Sequence, residues 1–172
     1  MAIDEEPRWL DDDEMAAWIP LMGTLIVLPA QLDAGMQEVA ELTQFEYLIL
    51  AKLSETQGHT VRISDLAGQW FGSLSRVSHL IKRLEGRGWV RREPDPEDGR
   101  YTNAILTEAG WAKIVATAPH QVELVRRLML DHLTRAQVRQ LRTVAERILA
   151  ANVPDSELLY TVPHAGRGRP RQ

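Results

Sequence analysis

The most constraining feature of this sequence is a change of hydrophobic periodicity within residues 73–106. Over 73–86 apolar residues recur every three to four positions, which is typical of an amphipathic helix. After this helix the period falls to about two, which predicts strands at 89–93 and 101–106. The turn-rich segment between the two strands ends in Asp-Gly-Arg, so we expect a β-hairpin directly behind the helix.

The helix at 73–86 divides its side chains between an apolar face and a polar face. The apolar residues are expected to pack into the core: Leu74, Val77, Leu80, Ile81 and Leu84. The polar face begins at Ser73, the helix cap, and has a hydroxyl group followed by basic groups: Ser75, Arg76, His79, Lys82 and Arg83. A brief helix capped by Ser64 precedes it and runs to Trp70, before a break at Phe71-Gly72. Two helices of this kind followed by a hairpin predict a winged helix-turn-helix, whose hydroxyl groups approach base edges and whose cations neutralise phosphates.

Further helices are predicted before this unit. The first begins after Asp11–Asp13, and its internal Pro20 and Pro29 predict a kinked helix or two abutting helices. A second helix, capped by Thr43, is expected to close at Gly58. A short β-prone step then leads into the helix-turn-helix.

Two more helices are predicted after the hairpin. Thr107 caps a long amphipathic segment, in which Pro119 is expected to break the helix. Thr134 and Gln137 form a capping box for a final helix that ends near residue 151. The predicted fold class is therefore mainly α with a small β-wing.

The charge of the chain is segregated. The formal net charge is −4, but seven carboxylates lie between Asp4 and Glu14, whereas six cations lie between Ser73 and Arg92 against Glu85 alone. This distribution predicts a basic surface on an otherwise acidic protein. A solvated helix face would account for any one of these charge runs taken separately.

Composition excludes several classes of protein. The absence of cysteine excludes disulfides, zinc-thiolate sites and thiol-based redox sensing, and we expect neither a metal nor another cofactor. We expect no secretory signal and no segment with the roughly 18 apolar residues of a membrane span. These observations predict a cytoplasmic protein without a membrane partner.

The ordered series of motifs resembles the MarR family of bacterial winged helix-turn-helix transcriptional regulators. The motifs are Leu66-Ala67, Ser75–Glu85, Gly88–Arg92, Asp95–Arg100 and Leu106–Gly110. With the flanking helices, the resemblance covers residues 12–151. It implies a homodimer that binds double-stranded DNA at a pseudo-palindromic operator and represses transcription, without enzymatic activity.

The resemblance also assigns roles to residues. Ser73, Ser75, Arg76, His79, Lys82 and Arg83 would face DNA, while Arg100 would enter the minor groove with Asp98 as its support. An exposed turn residue with a local ion pair is the alternative interpretation of Arg100. The implied domains are an acidic N-terminus at 1–10, dimerisation helices at 11–42 and 108–151, the DNA-binding domain at 43–107, and a tail at 152–172 that is basic at its end.

Regulators of this family commonly bind a small phenolic or aromatic acid. The candidate residues for such an effector are Trp18, Met22, Tyr47 and Trp111, although aromatic and methionine side chains on apolar helix faces are usually part of the core. The tail segment Arg167–Arg171 resembles an AT-hook. Non-specific attraction to phosphate, or pairing with the acidic N-terminus across a dimer, would account equally for its charge.

Two other classes of function remain as alternatives. An enzyme would have to use Ser75 with His79, which share a helix face but have no acid at the next turn and no oxyanion loop nearby. A metal cluster at His120, Asp131 and His132 is the other option, but Asp131 and His132 are adjacent and point apart on a helix. A winged helix used only for protein contacts would not need its basic face for duplex binding.

Overall fold

The computed structural model describes residues 6–67 and 73–152. The α-helices are α1 (Asp12–Ala40), α2 (Gln44–Glu55), α3 (Ile63–Leu66), α4 (Leu74–Gly86), α5 (Glu108–Leu128) and α6 (Arg135–Asn152). The strands are β1 (Thr60–Arg62), β2 (Val90–Pro94) and β3 (Thr102–Leu106). They form one antiparallel sheet of order β1-β3-β2. The predicted fold class, mainly α with a small β-wing, is confirmed.

Side-chain caps set the starts of the long helices, as the sequence predicts. Asp11 accepts a hydrogen bond from the backbone N–H of Glu14 at 2.8 Å, and Glu14 accepts one from the backbone N–H of Asp11 at 3.0 Å. Thr43 with Glu46 and Thr134 with Gln137 form the same reciprocal pair at the starts of α2 and α6. Thr107 caps α5 by accepting a hydrogen bond from the backbone N–H of Gly110. These bonds satisfy N–H groups that the first turn of a helix leaves free.

The expected break at Pro119 is wrong, and of the two alternatives for Pro20 and Pro29, two abutting helices are wrong and a kinked helix stays a prediction. Pro20 and Pro29 lie inside the single helix α1, and Pro119 lies inside the single helix α5. A proline removes one backbone donor, whereas α1 and α5 pack against each other, with Gly35 of α1 close to Leu124 of α5. Tertiary packing therefore keeps both helices continuous.

The helix-turn-helix differs in two details from the prediction. The described part of α3 begins at Ile63, so that Ser64 lies within the helix instead of capping it. Leu74 was expected in the core, but its side chain is 54% exposed, because it occupies the first position of α4, a turn beyond the buried Val77.

The core joins α2, α4 and the sheet. The largest fully buried apolar side chains come from these elements, from the end of α1 and from the link between α1 and α2: Met36, Leu42, Ile49, Leu50, Leu53, Ile81, Leu84, Val77 and Val90. The stripe of α5 that faces the body adds Ile114, Ala118 and Leu124. One face of α4 is consequently fixed by packing, and its opposite face is left at the surface.

Helices α1 and α6 expose long apolar faces. An 18-residue window of α1 has a mean hydropathy of 1.6 and is unburied, so the expectation that no segment is apolar enough to span a membrane is wrong by length and composition. In α6 no residue is buried, and Leu141, Val144 and Ile148 are exposed. Apolar surfaces of this extent are rare on proteins that function as monomers.

Candidate nucleic-acid interface

The exposed side of α4 presents a narrow polar strip. Ser75, His79 and Lys82 are all exposed, and their spacing of four and three residues places them on one side of the helix, opposite the buried Val77 and Leu84. The core therefore holds α4 while leaving a hydroxyl, an imidazole and an ammonium group accessible along it.

Ser73 caps the helix at the start of this strip. Its Oγ accepts a hydrogen bond from the backbone N–H of Arg76 at 3.3 Å, as a cap should. The positive end of the helix dipole lies here, which favours an anion near the exposed hydroxyl groups.

Arg76 and Arg83 lie at the edge of the strip and contact α2. The Arg76 guanidinium carbon is 4.3 Å from the ring centroid of Phe45. The Arg83 Nε is 3.1 Å from Oε1 of Glu46, a carboxylate that is fully buried, whereas Arg83 is 42% exposed. Both arginines were predicted to face DNA, and in the structure both also have partners within the protein.

Arg100 and Asp98 are together at the tip of the hairpin. The Arg100 Nε donates to Asp98 Oδ1 at 2.9 Å and its Nη2 donates to Oδ2 at 2.5 Å. These bonds lower the pKa of Asp98 and raise that of Arg100. Because the Arg100 side chain is 85% exposed, Asp98 orients a guanidinium group that remains accessible to solvent.

Asp95, which sequence reasoning missed, holds the base of the tip. It is buried and accepts hydrogen bonds from Arg62 Nε at 2.8 Å, from Asn103 Nδ2 at 3.2 Å, and from the backbone N–H groups of Glu97 at 2.9 Å and Asp98 at 3.1 Å. These bonds, that of Arg62 first, hold its pKa well below the usual range. An aspartate at the start of a turn signals the backbone bonds, but nothing local signals Arg62, which comes from β1.

Other cations near the hairpin are paired. Arg92 Nη2 lies 2.6 Å from Glu85 Oε2, and Arg91 pairs with Glu93. Within the described residues, the recorded ion pairs do not include Lys82. On the surface that α4 and the hairpin form, Lys82 is therefore an exposed cation outside these pairs, and Arg100 is exposed although Asp98 holds it.

Comparison with known proteins identifies the family. A family model described as the MarR family matches residues 42–102. The crystal structure of Sco3205, a MarR family transcriptional regulator from Streptomyces coelicolor, in complex with DNA, aligns with a TM-score of 0.83 at 35% identity, covering 90% of this chain and 98% of Sco3205. The chain belongs to the MarR family of transcriptional regulators.

Two further relatives agree with this assignment. AbsC, a MarR family regulator from the same organism, aligns with a TM-score of 0.80 at 37% identity, covering 87% of this chain and 100% of AbsC. The repressor IacR of Pseudomonas putida is 33% identical over 84 residues, 49% of this chain and 50% of IacR. The chain spans about half the length of the curated relatives first matched.

The four candidate effector residues of this MarR-family chain are in different surroundings. Tyr47 on α2 is buried in the core, and this burial raises the pKa of its hydroxyl group. Trp111 on α5 packs against the core, with its ring centroid 5.1 Å from that of His59. On α1, Met22 is half-buried and Trp18 is 45% exposed. An effector that touches all four residues would have to bridge α1, α2 and α5.

Several predicted features lie outside the described residues, among them the end at Trp70 of the first helix of the helix-turn-helix and the acidic residues Asp4 and Glu5. Two more bear on the interface. They are the Phe71-Gly72 break between the two helices of the helix-turn-helix and the basic tail segment Arg167–Arg171. Both stay predictions from the sequence.

Proposed function

We propose that this MarR-family regulator binds specific sites on double-stranded DNA as a homodimer. The observation that carries the proposal is the exposed strip Ser75, His79 and Lys82 of α4, next to a hairpin tipped by Arg100. The elements that bear these groups are anchored in the core on their other sides. A rigid support of this kind is what a base-reading surface requires.

In this proposal α4 enters the major groove. A helix with its side chains is about 10–12 Å across and the groove is about 12 Å wide, so the exposed strip fits against base edges. Ser73 and Ser75 contact phosphate or bases near the helix N-terminus, His79 donates to a base acceptor, and Lys82 neutralises a phosphate. Arg76 and Arg83 lie at the border of this contact.

The hairpin is proposed to contact the adjacent minor groove. Narrow, A·T-rich minor grooves have an enhanced negative potential that attracts guanidinium groups. Asp98 holds the Arg100 side chain by two oriented hydrogen bonds and so reduces the conformational entropy that Arg100 loses on binding. Asp98 also partly neutralises the charge of Arg100, so its main contribution to DNA binding is to position the Arg100 guanidinium group.

The proposed dimer covers the exposed apolar faces. Val115 and Val122 of α5 are exposed too and add to the apolar surface of α1 and α6. A second copy of the chain, with the same faces, would remove this surface from water. Two recognition helices about 34 Å apart could then engage half-sites one helical turn apart. Covering α1 with protein is also consistent with a cytoplasmic regulator.

The DNA complex of Sco3205 supports the proposal, because that protein is similar to this chain over nearly its whole length.

We further propose repression, with a small aromatic acid releasing the protein from DNA. Tyr47 on α2 and Trp111 on α5 supply the aromatic rings on which this part of the proposal rests. Release of a bound duplex by benzoate or salicylate, with quenching of tryptophan fluorescence, tests this part. Unchanged DNA affinity with both acids would argue against it.

Selection of bound duplexes from a random pool tests the DNA proposal. We expect enrichment of two inverted half-sites about one helical turn apart, with an affinity that falls steeply as salt rises. Lys82→Gln should lower the slope of log affinity against log salt by about 0.9, because one phosphate contact is lost. Arg8→Gln, which removes an exposed cation from the segment before α1, should leave the slope unchanged.

The selection also separates this proposal from its rival. A chain that enriches no sequence, or that binds every duplex equally and without dependence on salt, is not a DNA-reading protein. A winged helix used only for protein contacts would give that result.

A further inference from the structure

Three arginines are aligned along one side of α4 and of the turn that follows it. Arg76, Arg83 and Arg87 are spaced seven and four residues apart, close to whole helical turns, so they share one side of the helix. We call them the arginine row. Each of them contacts the segment 41–46, which contains the junction between α1 and α2. The row therefore faces the helices that carry α4.

Glu46 is the central partner of the row. Its Oε2 accepts hydrogen bonds from the Thr43 backbone N–H at 2.8 Å and from the Thr43 hydroxyl group at 3.1 Å. Its Oε1 is buried and accepts no hydrogen bond of good geometry, but the Arg83 Nε lies 3.1 Å away as an ion-pair partner. A buried carboxylate without a counter-charge is costly. Arg83 therefore compensates a charge that the fold has already buried.

Arg87 makes a second connection, to α1. The last turn of α1 has no basic residue of its own. The Arg87 Nη1 donates to the carbonyl oxygen of Glu41, the C-cap residue, whose backbone is left-handed with φ 53°. A cation here interacts favourably with the negative end of the helix dipole. The end of α4 is thus connected to the end of α1 as well as to the start of α2.

We propose that Arg83 and Glu46 are positioning residues for DNA recognition. Their ion pair fixes the orientation of α4 against α2, and Arg83 makes no phosphate contact of its own. This assignment rests on the proposed DNA-binding function. Base contacts need placement within about 0.5 Å, whereas phosphate attraction tolerates looser geometry. Loss of the pair therefore lowers specific binding more than non-specific binding.

A double-mutant cycle in the full-length protein tests the assignment. Glu46→Gln keeps a side chain that the capping box accepts and removes only the charge. Arg83→Gln removes the counter-charge from a partly exposed position. Affinity is measured for the selected duplex and for a scrambled duplex of the same composition, over a range of salt. Lys82→Gln serves as the control for a phosphate contact.

We expect each single variant to lower the ratio of specific to scrambled affinity by about tenfold, within the range of coupled pairs. The double variant should lose no more than either single one. The salt slope of Arg83→Gln should equal that of the wild type, and Arg83→Lys should recover part of the specificity by restoring the charge.

Two results would overturn the assignment. One is a salt slope for Arg83→Gln that falls by about 0.9, as for Lys82→Gln, which would make Arg83 a phosphate contact. The other is additive losses in the double variant, which would show that the pair does not act as a unit. If Glu46→Gln does not fold, the salt slope of Arg83→Gln and the recovery of specificity in Arg83→Lys still test the role of Arg83. A wild-type chain that binds no duplex refutes the proposed function itself, a result distinct from either of these.

Discussion

Gly110 lies in the first turn of α5, directly against the turn that joins α4 to β2. A Cβ atom at this position would lie 2.1 Å from the carbonyl oxygen of Trp89 and 2.7 Å from Cδ1 of Leu106. Carbon–oxygen contacts in proteins are rarely shorter than about 3.3 Å. Gly110→Ala therefore requires the backbone of α5 and that of the wing to separate by about 1 Å.

The cost of this separation exceeds the gain in helix propensity. Overpacking costs about 1–3 kcal/mol, whereas replacing glycine by alanine inside a helix gains about 1 kcal/mol. The leucine side chain can rotate away, but the carbonyl oxygen cannot, because it accepts a hydrogen bond from the Thr107 N–H at 3.0 Å. We expect Gly110→Ala to lower the free energy of unfolding by about 1 kcal/mol and the Tm by about 2–4 °C.

Chemical and thermal unfolding measure this effect, at one protein concentration because a dimer's Tm depends on concentration. Gly86→Ala is the matched control. It makes the same substitution at the end of α4, where an added Cβ meets nothing within 4 Å, and it should be neutral or stabilising by up to about 1 kcal/mol. A Gly110→Ala variant as stable as the wild type would contradict the packing argument.

Three further predictions follow from the structure. The folded state lowers the pKa of Asp95, so the stabilisation from its ionised carboxylate is complete above about pH 4 and is lost as the pH falls. In Asp95→Asn the free energy of unfolding should therefore depend less on pH in the acid range. An unchanged pH profile would exclude this role of Asp95. Leu141→Asp puts a charge on the exposed apolar face of α6 and should give a monomer of 19.5 kDa in sedimentation. The neighbouring Arg142→Gln should sediment as a dimer, like the wild type. A dimer for both variants would show that α6 is not part of the interface. Arg100→Ala should weaken binding about tenfold at A·T-rich flanks and less elsewhere; equal losses at all flanks would make Arg100 a phosphate contact.

Local signals account for most of the correct predictions. Thr43, Thr107 and Thr134 cap the helices that the sequence assigns to them, and the Asp-Gly turn lies between β2 and β3. Caps and turns act over three or four residues, so their partners are visible in the sequence. The contact between Asp98 and Arg100 was predictable for the same reason.

The incorrect predictions concern residues whose surroundings are distant in sequence. Pro119 was expected to break a helix, but the buried stripe of α5 on both sides of it packs against the same body. Leu74 has the spacing of a core residue, yet α4 extends past the core at its first position. Periodicity gives the face of a helix but not how far the core reaches along it.

By itself the sequence determined the order of the elements, the amphipathic α4, the hairpin behind it and the family that these motifs resemble. Only the tertiary structure decided which charged side chains pair with distant residues of the protein and which remain exposed to solvent. Arg62 and Asp95 are 33 positions apart, and Arg83 meets Glu46 from a different helix. Such partners are set by the three-dimensional fold, because whether a charge is buried depends on the residues that pack around it. The same holds for Gly110, where the neighbouring backbone leaves no room for a methyl group.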